Sequence, residues 1–204
     1  MASLEVKKIK KIKHIKPEIR ILGIDDGHFE KFSSAKCLVV GTIFRGAQAL
    51  DGLISFYVEV DGDDGTEKLI EAVNRSKHKE QLSVIMINGI ALGGFNVLNI
   101  KEICLKTGIP VVVVSRKKPR IKLIKAVLKK IGKKEKIKFI EEAGKPNEIK
   151  INGKSIYFQC YGLDKEKASE LIKSSIRFGN IPEPLRVAHI IATGIVLGEN
   201  KGRV

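Results

Sequence analysis

Apolar residues fall along the chain in short, dense blocks separated by charged stretches. From Ile19 onward these are IRILGI, CLVVGTIF (37–44), LISFYVEV (53–60), SVIMI (83–87) and IPVVVV (109–114). Blocks this short and this rich in β-branched residues predict strands, and the near-continuous ones predict central strands covered on both faces. Residues 67–76, 95–107 and 119–131 are helical stretches between or after them. The first three strands follow one another by short connections, which predicts an antiparallel meander. Strand and helix then alternate, which predicts right-handed crossovers adding two parallel strands. The expected fold is therefore α/β, a five-stranded mixed sheet with helices on both faces.

Downstream, Asn152-Gly153 separates EIKI from SIYFQCYG, the signature of a two-residue hairpin turn. Asp164 is placed to cap a helix running to about Ser175. Pro182 and Pro184 suit the start of a last helix reaching about Leu197. Ahead of the first strand, KKIKKIKHIKP sets Ile9, Ile12 and Ile15 three apart among the six lysines from Lys7 to Lys16. That spacing predicts a short basic amphipathic helix or a mobile arm, ended by Pro17. Residues 1–17 are thus read as an arm or short helix and 18–204 as a single domain, a length that one core accommodates.

Charge changes this picture more than composition does. The chain carries 38 Lys and Arg against 23 Asp and Glu, a formal +15, and such an excess points to a polyanion such as nucleic acid. A heat-adapted surface is the alternative source of charge, but that pattern pairs both signs into networks. Cys37, Cys104 and Cys160 lack the close spacing of a zinc or redox pair and fit buried thiols in a reducing cytoplasm. No stretch approaches the roughly 20 apolar residues of a membrane span, so a cytoplasmic protein with no membrane partner is expected.

The chain holds no GxGxxG, GxSxG or HExxH. The Gly-Lys-Ser at 153–155 has Glu148 where a P-loop requires glycine. The candidate chemistry is acidic. The first strand runs straight into Asp25, Asp26, Gly27 and His28, and ligand sites of α/β sheets favour strand ends. DGDDGT places Asp61, Asp63 and Asp64 after the third strand, and oxygen ligands on neighbouring strand ends suit Mg²⁺. Turn and cap chemistry is the competing reading of DGDDGT. Asp25 and Asp26 repel each other unless a cation joins them. The fourth strand ends at Asn88, which brings a ligand oxygen but no charge. Beyond the fifth strand, 116–138 holds 12 Lys and Arg against Glu135 alone, a solvated helix face or a phosphate-binding rim, with Arg116 or Lys117 nearest the strand end and Lys118, Arg120 and Lys122 beyond. In the last helix Arg186, His189 and Thr193 share one face, with His189 a candidate for acid–base chemistry.

Taken in order, GIDDGHF, RGAQALDGL, DGDDGT, NGIALGGFNV, IPVVVVSRKKP and IPEPLRVAH make the chain resemble an archaeal family (domain of unknown function ninety-nine) related to endonuclease V. The resemblance spans roughly 19–193, with PEPLRVAH its most specific element. It implies a ribonuclease H-like fold and a Mg²⁺- or Mn²⁺-dependent endonuclease ancestry directed at deaminated purines such as inosine. It makes Asp25 a first metal ligand and puts Asn88 where the relatives carry an acid. The middle acid falls near Asp64, with Asp63 and Asp61 as fallbacks, and Asp26 is a substitute for the charge missing at Asn88. His189 and Lys117, with Arg116 beside it, match the family's histidine and lysine. Lys118, Arg120, Lys122 and Arg186 complete a nucleic-acid surface. Two functions follow: a metal-dependent phosphodiester hydrolase, or a nucleic-acid-binding protein that keeps the fold without the catalysis.

Overall fold

The computed structural model describes residues 6–30 and 35–200. Strands β1 (Arg20–Asp26), β2 (Lys36–Arg45) and β3 (Ala49–Glu59) form the antiparallel meander expected from the sequence. Helix α1 (Gly65–Arg75) leads to β4 (Val84–Asn88), which lies parallel to β1 with Ile87 beside Ile24. The chain then makes a small hairpin of β5 (Ala91–Leu92) and β6 (Asn96–Val97), followed by α2 (Ile100–Thr107) and β7 (Val111–Ser115), parallel to β4.

The sheet holds seven strands rather than five. After α3 (Ile121–Lys130) and α4 (Ile137–Glu142), β8 (Asn147–Ile151) and β9 (Lys154–Tyr161) form the hairpin predicted at Asn152-Gly153, whose φ values of 49° and 76° are those a tight hairpin turn demands. β9 pairs antiparallel with β7, giving the order β3-β2-β1-β4-β7-β9-β8. The addition has a physical cause. β7 is apolar and buried, and without β9 one row of its backbone donors and acceptors would lack partners away from water. Strand pattern reveals the hairpin but not the edge on which it docks.

Burial follows position in the sheet. Val84–Ile87 and Val111–Val114 are wholly buried, whereas edge strands β3 and β8 alternate toward solvent. Leu22 and Ile24 enter one core with Leu69 of α1 and Ile103 of α2. Ile21 enters the other, with Leu171 of α5 (Lys165–Ser174) and Leu185 of α6 (Glu183–Leu197). The helix expected over 95–107 begins only at Ile100, because 91–97 is spent on the small hairpin. Asn99 caps it, accepting from the Glu102 amide at 3.1 Å. In α3 the inward stripe holds: Leu128 is buried, with Ile121, Ile124 and Ile131 packed around it.

Residues 6–16 form no helix. Their backbone bonds to the end of α2 (Lys7 N to Leu105 O, 2.9 Å; Lys10 N to Gly108 O, 2.8 Å), and Ile9 packs on one core while Ile12 and Ile15 pack on the other. Among the described residues, no helix is long and apolar enough to cross a membrane.

One contact positions the site. α6 descends onto β1 where β1 has no side chains: a Cβ at Gly23 would lie 2.5 Å from the Pro184 backbone, and one at Gly27 would lie 2.9 Å from the Ala192 carbonyl. Thr42 of β2 fastens the helix start, donating to the Pro184 carbonyl at 2.7 Å. Gly23, Asp25 and Gly27 alternate onto the same face of β1, so the two glycines bracket the carboxylate.

Candidate active site

Asp25 is 2% exposed at the C-terminal end of β1. Its Oδ2 accepts from Asn88 Nδ2 at 2.9 Å and lies 3.0 Å from His189 Nδ1, while Oδ1 accepts the Asp26 amide at 3.0 Å. Three elements thus converge on one carboxylate: β1, the adjacent β4, and α6 through its close approach at Gly23. The bond to Asp25 raises the pKa of His189 above the usual imidazole value, with burial and the charge of Arg116 acting in the opposite sense.

Consecutive strand residues start toward opposite faces, yet the two carboxylates meet at the strand end. Burial, the Asp25 charge and a hydrogen bond with Asp25 push Asp26 up to about 7, against the amide of Gly93, which donates to Asp26 Oδ2 at 2.6 Å. Two neighbouring carboxylates repel when both are charged, a repulsion that a cation relieves. Their oxygens suit one hard divalent ion such as Mg²⁺, which Asp25 and Asp26 would hold. Among the described residues, no three His, Cys, Asp or Glu side chains are grouped to hold a metal, so the chain brings only these two carboxylates to the ion.

The acids of DGDDGT divide among three tasks. Asp64 accepts from the Glu59 amide at 3.1 Å and from Asn96 Nδ2 at 2.7 Å, closing the loop between β3 and α1. Asp63 pairs with Lys133 and Lys136 at 2.7 and 3.2 Å. Asp61, at φ 53°, shares a loop with Asp26: its amide donates to the Gly93 carbonyl at 2.7 Å and its Oδ1 accepts the Phe95 amide at 2.7 Å. The structure therefore joins Asp61, rather than Asp64, to the strand-end carboxylates, and it does so through the loop 93–95. Sequence reasoning missed the role of Gly93. The run NGIALGGF was its only trace, with Gly89, Gly93 and Gly94 all at positive φ.

The basic residues form a rim. Arg116, Lys117 and Lys118 are exposed directly after β7, and Arg116 is near enough to act on His189. Lys117 and Lys118 line a cavity of about 370 Å³ with Gly89, Phe95, Ser115 and Gln159. Gly89 and Gly94, which line it, are the chain neighbours of Asn88 and Gly93, the residues bonded to Asp25 and Asp26. Arg120 and Lys122 are exposed at the start of α3, farther along the same rim. Arg186 sits one turn before His189 on α6, its guanidinium held by Glu183 at 2.8 and 2.6 Å. The thiols take no part: burial pushes Cys37 and Cys104 up to about 12.

Residues 17–196 match the family model described as endonuclease dU. The chain belongs to this family. Among its relatives is a UPF0215 protein from Methanothermobacter thermautotrophicus, 47% identical over 192 residues that cover 93% of this chain and 94% of that one. Another from Methanopyrus kandleri is 42% identical, covering 93% and 98%. A crystal structure of a protein of unknown function from Archaeoglobus fulgidus superimposes with a TM-score of 0.77 at 39% identity, covering 87% of this chain and 98% of that one. Endonuclease V from Bacillus subtilis shares the fold at a TM-score of 0.58 and 14% identity, covering 92% and 85%. Ciona intestinalis endonuclease V, solved with a DNA containing inosine followed by ribo-adenosine, gives 0.54 at 12% identity, covering 83% and 82%. The endonuclease dU family chain described here therefore has an endonuclease V-like α/β fold.

Proposed function

We propose that this chain is a divalent-metal-dependent phosphodiester hydrolase of ribonuclease H-like architecture, acting in the cytoplasm on nucleic acid with deaminated bases, deoxyuridine foremost. The observation that carries the reading is the buried Asp25, held between Asn88 and His189, with the exposed basic residues Arg116, Lys117 and Lys118 following the next strand but one. Membership of the endonuclease dU family supports the substrate class.

Asp25 and Asp26 would hold Mg²⁺ or Mn²⁺. When bound, the ion supplies Lewis acidity toward a phosphate oxygen and lowers the pKa of water at the site. Asn88 fixes the orientation of Asp25. His189, its Nδ1 engaged by Asp25, presents its other ring nitrogen as donor or acceptor, and its raised pKa lets it carry a proton to a leaving oxygen near neutral pH. Arg116 and Lys117 offset phosphate charge, with Lys118, Arg120, Lys122 and Arg186 extending the contact. The cavity beside Gly89 would admit a base turned out of its stack.

A second reading is favoured by one observation, that Asn88 stands as a neutral donor where the fold's acidic ligand is expected. In it the chain binds nucleic acid without cutting. Oligonucleotides containing deoxyuridine or deoxyinosine, incubated with Mg²⁺ or Mn²⁺, separate the two. Cleavage lost in Asp25→Ala supports the hydrolase, whereas salt-sensitive binding with no cleavage above that control supports the binding protein.

A further inference from the structure

On the face of α6 that carries Arg186 and His189, one aromatic ring is left in the open. Phe178 is 57% exposed, and two guanidiniums lie over its ring, Arg177 at 5.2 Å and Arg186 at 5.8 Å from the centroid. A phenyl ring in water forgoes the stabilisation of burial. Here it is also held in place rather than carried on a loose loop. Asn152 Nδ2 donates to the Gly179 carbonyl at 3.0 Å, Arg177 reaches the Gln48 carbonyl at 3.4 Å, and the buried Glu183 fixes Arg186 through two bonds. Arg186 precedes His189 by one helical turn. The ring therefore stands just beyond Arg186, on a line leading away from Asp25.

We propose that Phe178 is a stacking platform for an unpaired nucleobase, and that single-stranded nucleic acid runs along α6 toward Asp25 with Arg177 and Arg186 beside its phosphates. This rests on the nucleic-acid reading above and adds the path of the strand. Every base offers a π face, so an exposed ring with cations close by takes a single strand without reading its sequence. A duplex, whose base faces are already stacked, has no such surface to offer.

The chain contains no tryptophan, so Phe178→Trp introduces a lone indole at the proposed contact. This variant is titrated with a short single-stranded oligothymidylate while binding is followed separately by the anisotropy of a labelled oligomer. Quenching that saturates in parallel with anisotropy and weakens with salt is expected, with a duplex of equal length quenching less. Phe178→Ala should lose roughly five- to a hundredfold in single-strand affinity, Phe178→Tyr should retain it, and both should keep the wild-type circular dichroism spectrum. Anisotropy that reports binding while the indole emission stays unchanged, or Phe178→Ala with undiminished affinity, overturns the proposal and leaves the hydrolase reading intact. Absence of binding by anisotropy at low salt overturns both.

Discussion

Asn88 donates its side-chain amide to Asp25 Oδ2 over 2.9 Å, the same oxygen that meets His189. Where an acid would add charge, this residue supplies direction. Asn88→Asp therefore replaces a hydrogen bond to a carboxylate with a like charge. Without divalent ion the variant should lose on the order of 1–3 kcal/mol of stability. Added Mg²⁺ should restore it and bind more tightly than to the parent. Thermal unfolding with and without Mg²⁺ checks both, and a variant indifferent to the ion would remove the metal assignment at Asp25.

Gly23→Ala places a methyl against the Pro184 backbone, where neither side can yield by a rotamer change. A loss of roughly 1–3 kcal/mol is expected from overpacking, measured by urea unfolding. Because α6 must lift, the His189–Asp25 contact lengthens, and the imidazole pKa followed by NMR should fall from its raised value.

The same NMR titration probes the pair directly. In Asp25→Asn the largest influence that raises His189 is lost, leaving burial and Arg116, which lower it, against the lesser charge of Asp26, which raises it. The pKa should fall from its raised value toward 6.5, the unperturbed value. In the parent, the stabilisation from this group is fully present below 6.5 and disappears as pH rises through the raised folded value.

Asp26 imposes its own pH dependence. The folded chain keeps its proton up to about 7 while the unfolded chain releases it near 3.8, so the folded state binds more protons between those values. Stability from this group must fall as pH rises through that window and level off above it. Asp26→Asn should remove the slope, gaining on the order of 1–3 kcal/mol over the parent above neutrality, read from urea unfolding across the range.

Asp64→Ala and Asp61→Ala should separate cleanly. The first strips two donors of their acceptor at the β3–α1 loop and should cost about 1–2 kcal/mol. The second disturbs the loop 93–95 that holds Asp26, so it should weaken Mg²⁺ binding, measured by calorimetry, more than it lowers the melting temperature.

Much of this was legible in the residue pattern. The apolar runs at 83–87 and 109–114 become strands wholly buried over 84–87 and 111–114, because only central strands require apolar side chains on both faces. Asp25 and His189 were recognisable because a carboxylate after a buried strand and an imidazole in a polar row each need a partner, and the fold makes each the partner of the other. Asp61, Asp63 and Asp64 could not be told apart in sequence because three acids within four residues have identical chemistry, and the fold gives each different partners. The joining of β8 and β9 to the sheet escaped because a hairpin's own pattern does not name the edge that receives it. Phe178 escaped because exposure is not written in sequence.

The meeting of α6 with β1 at Gly23 and Gly27 is a contact made largely by main chain on one side and by absent side chains on the other. The spacing between Asp25 and His189 is therefore fixed by backbone rather than by the fit of variable side chains. Residues around the site can drift, changing which strand or base is accepted, without moving the carboxylate relative to the imidazole. The chemistry and the selectivity of this fold are in that sense separately adjustable.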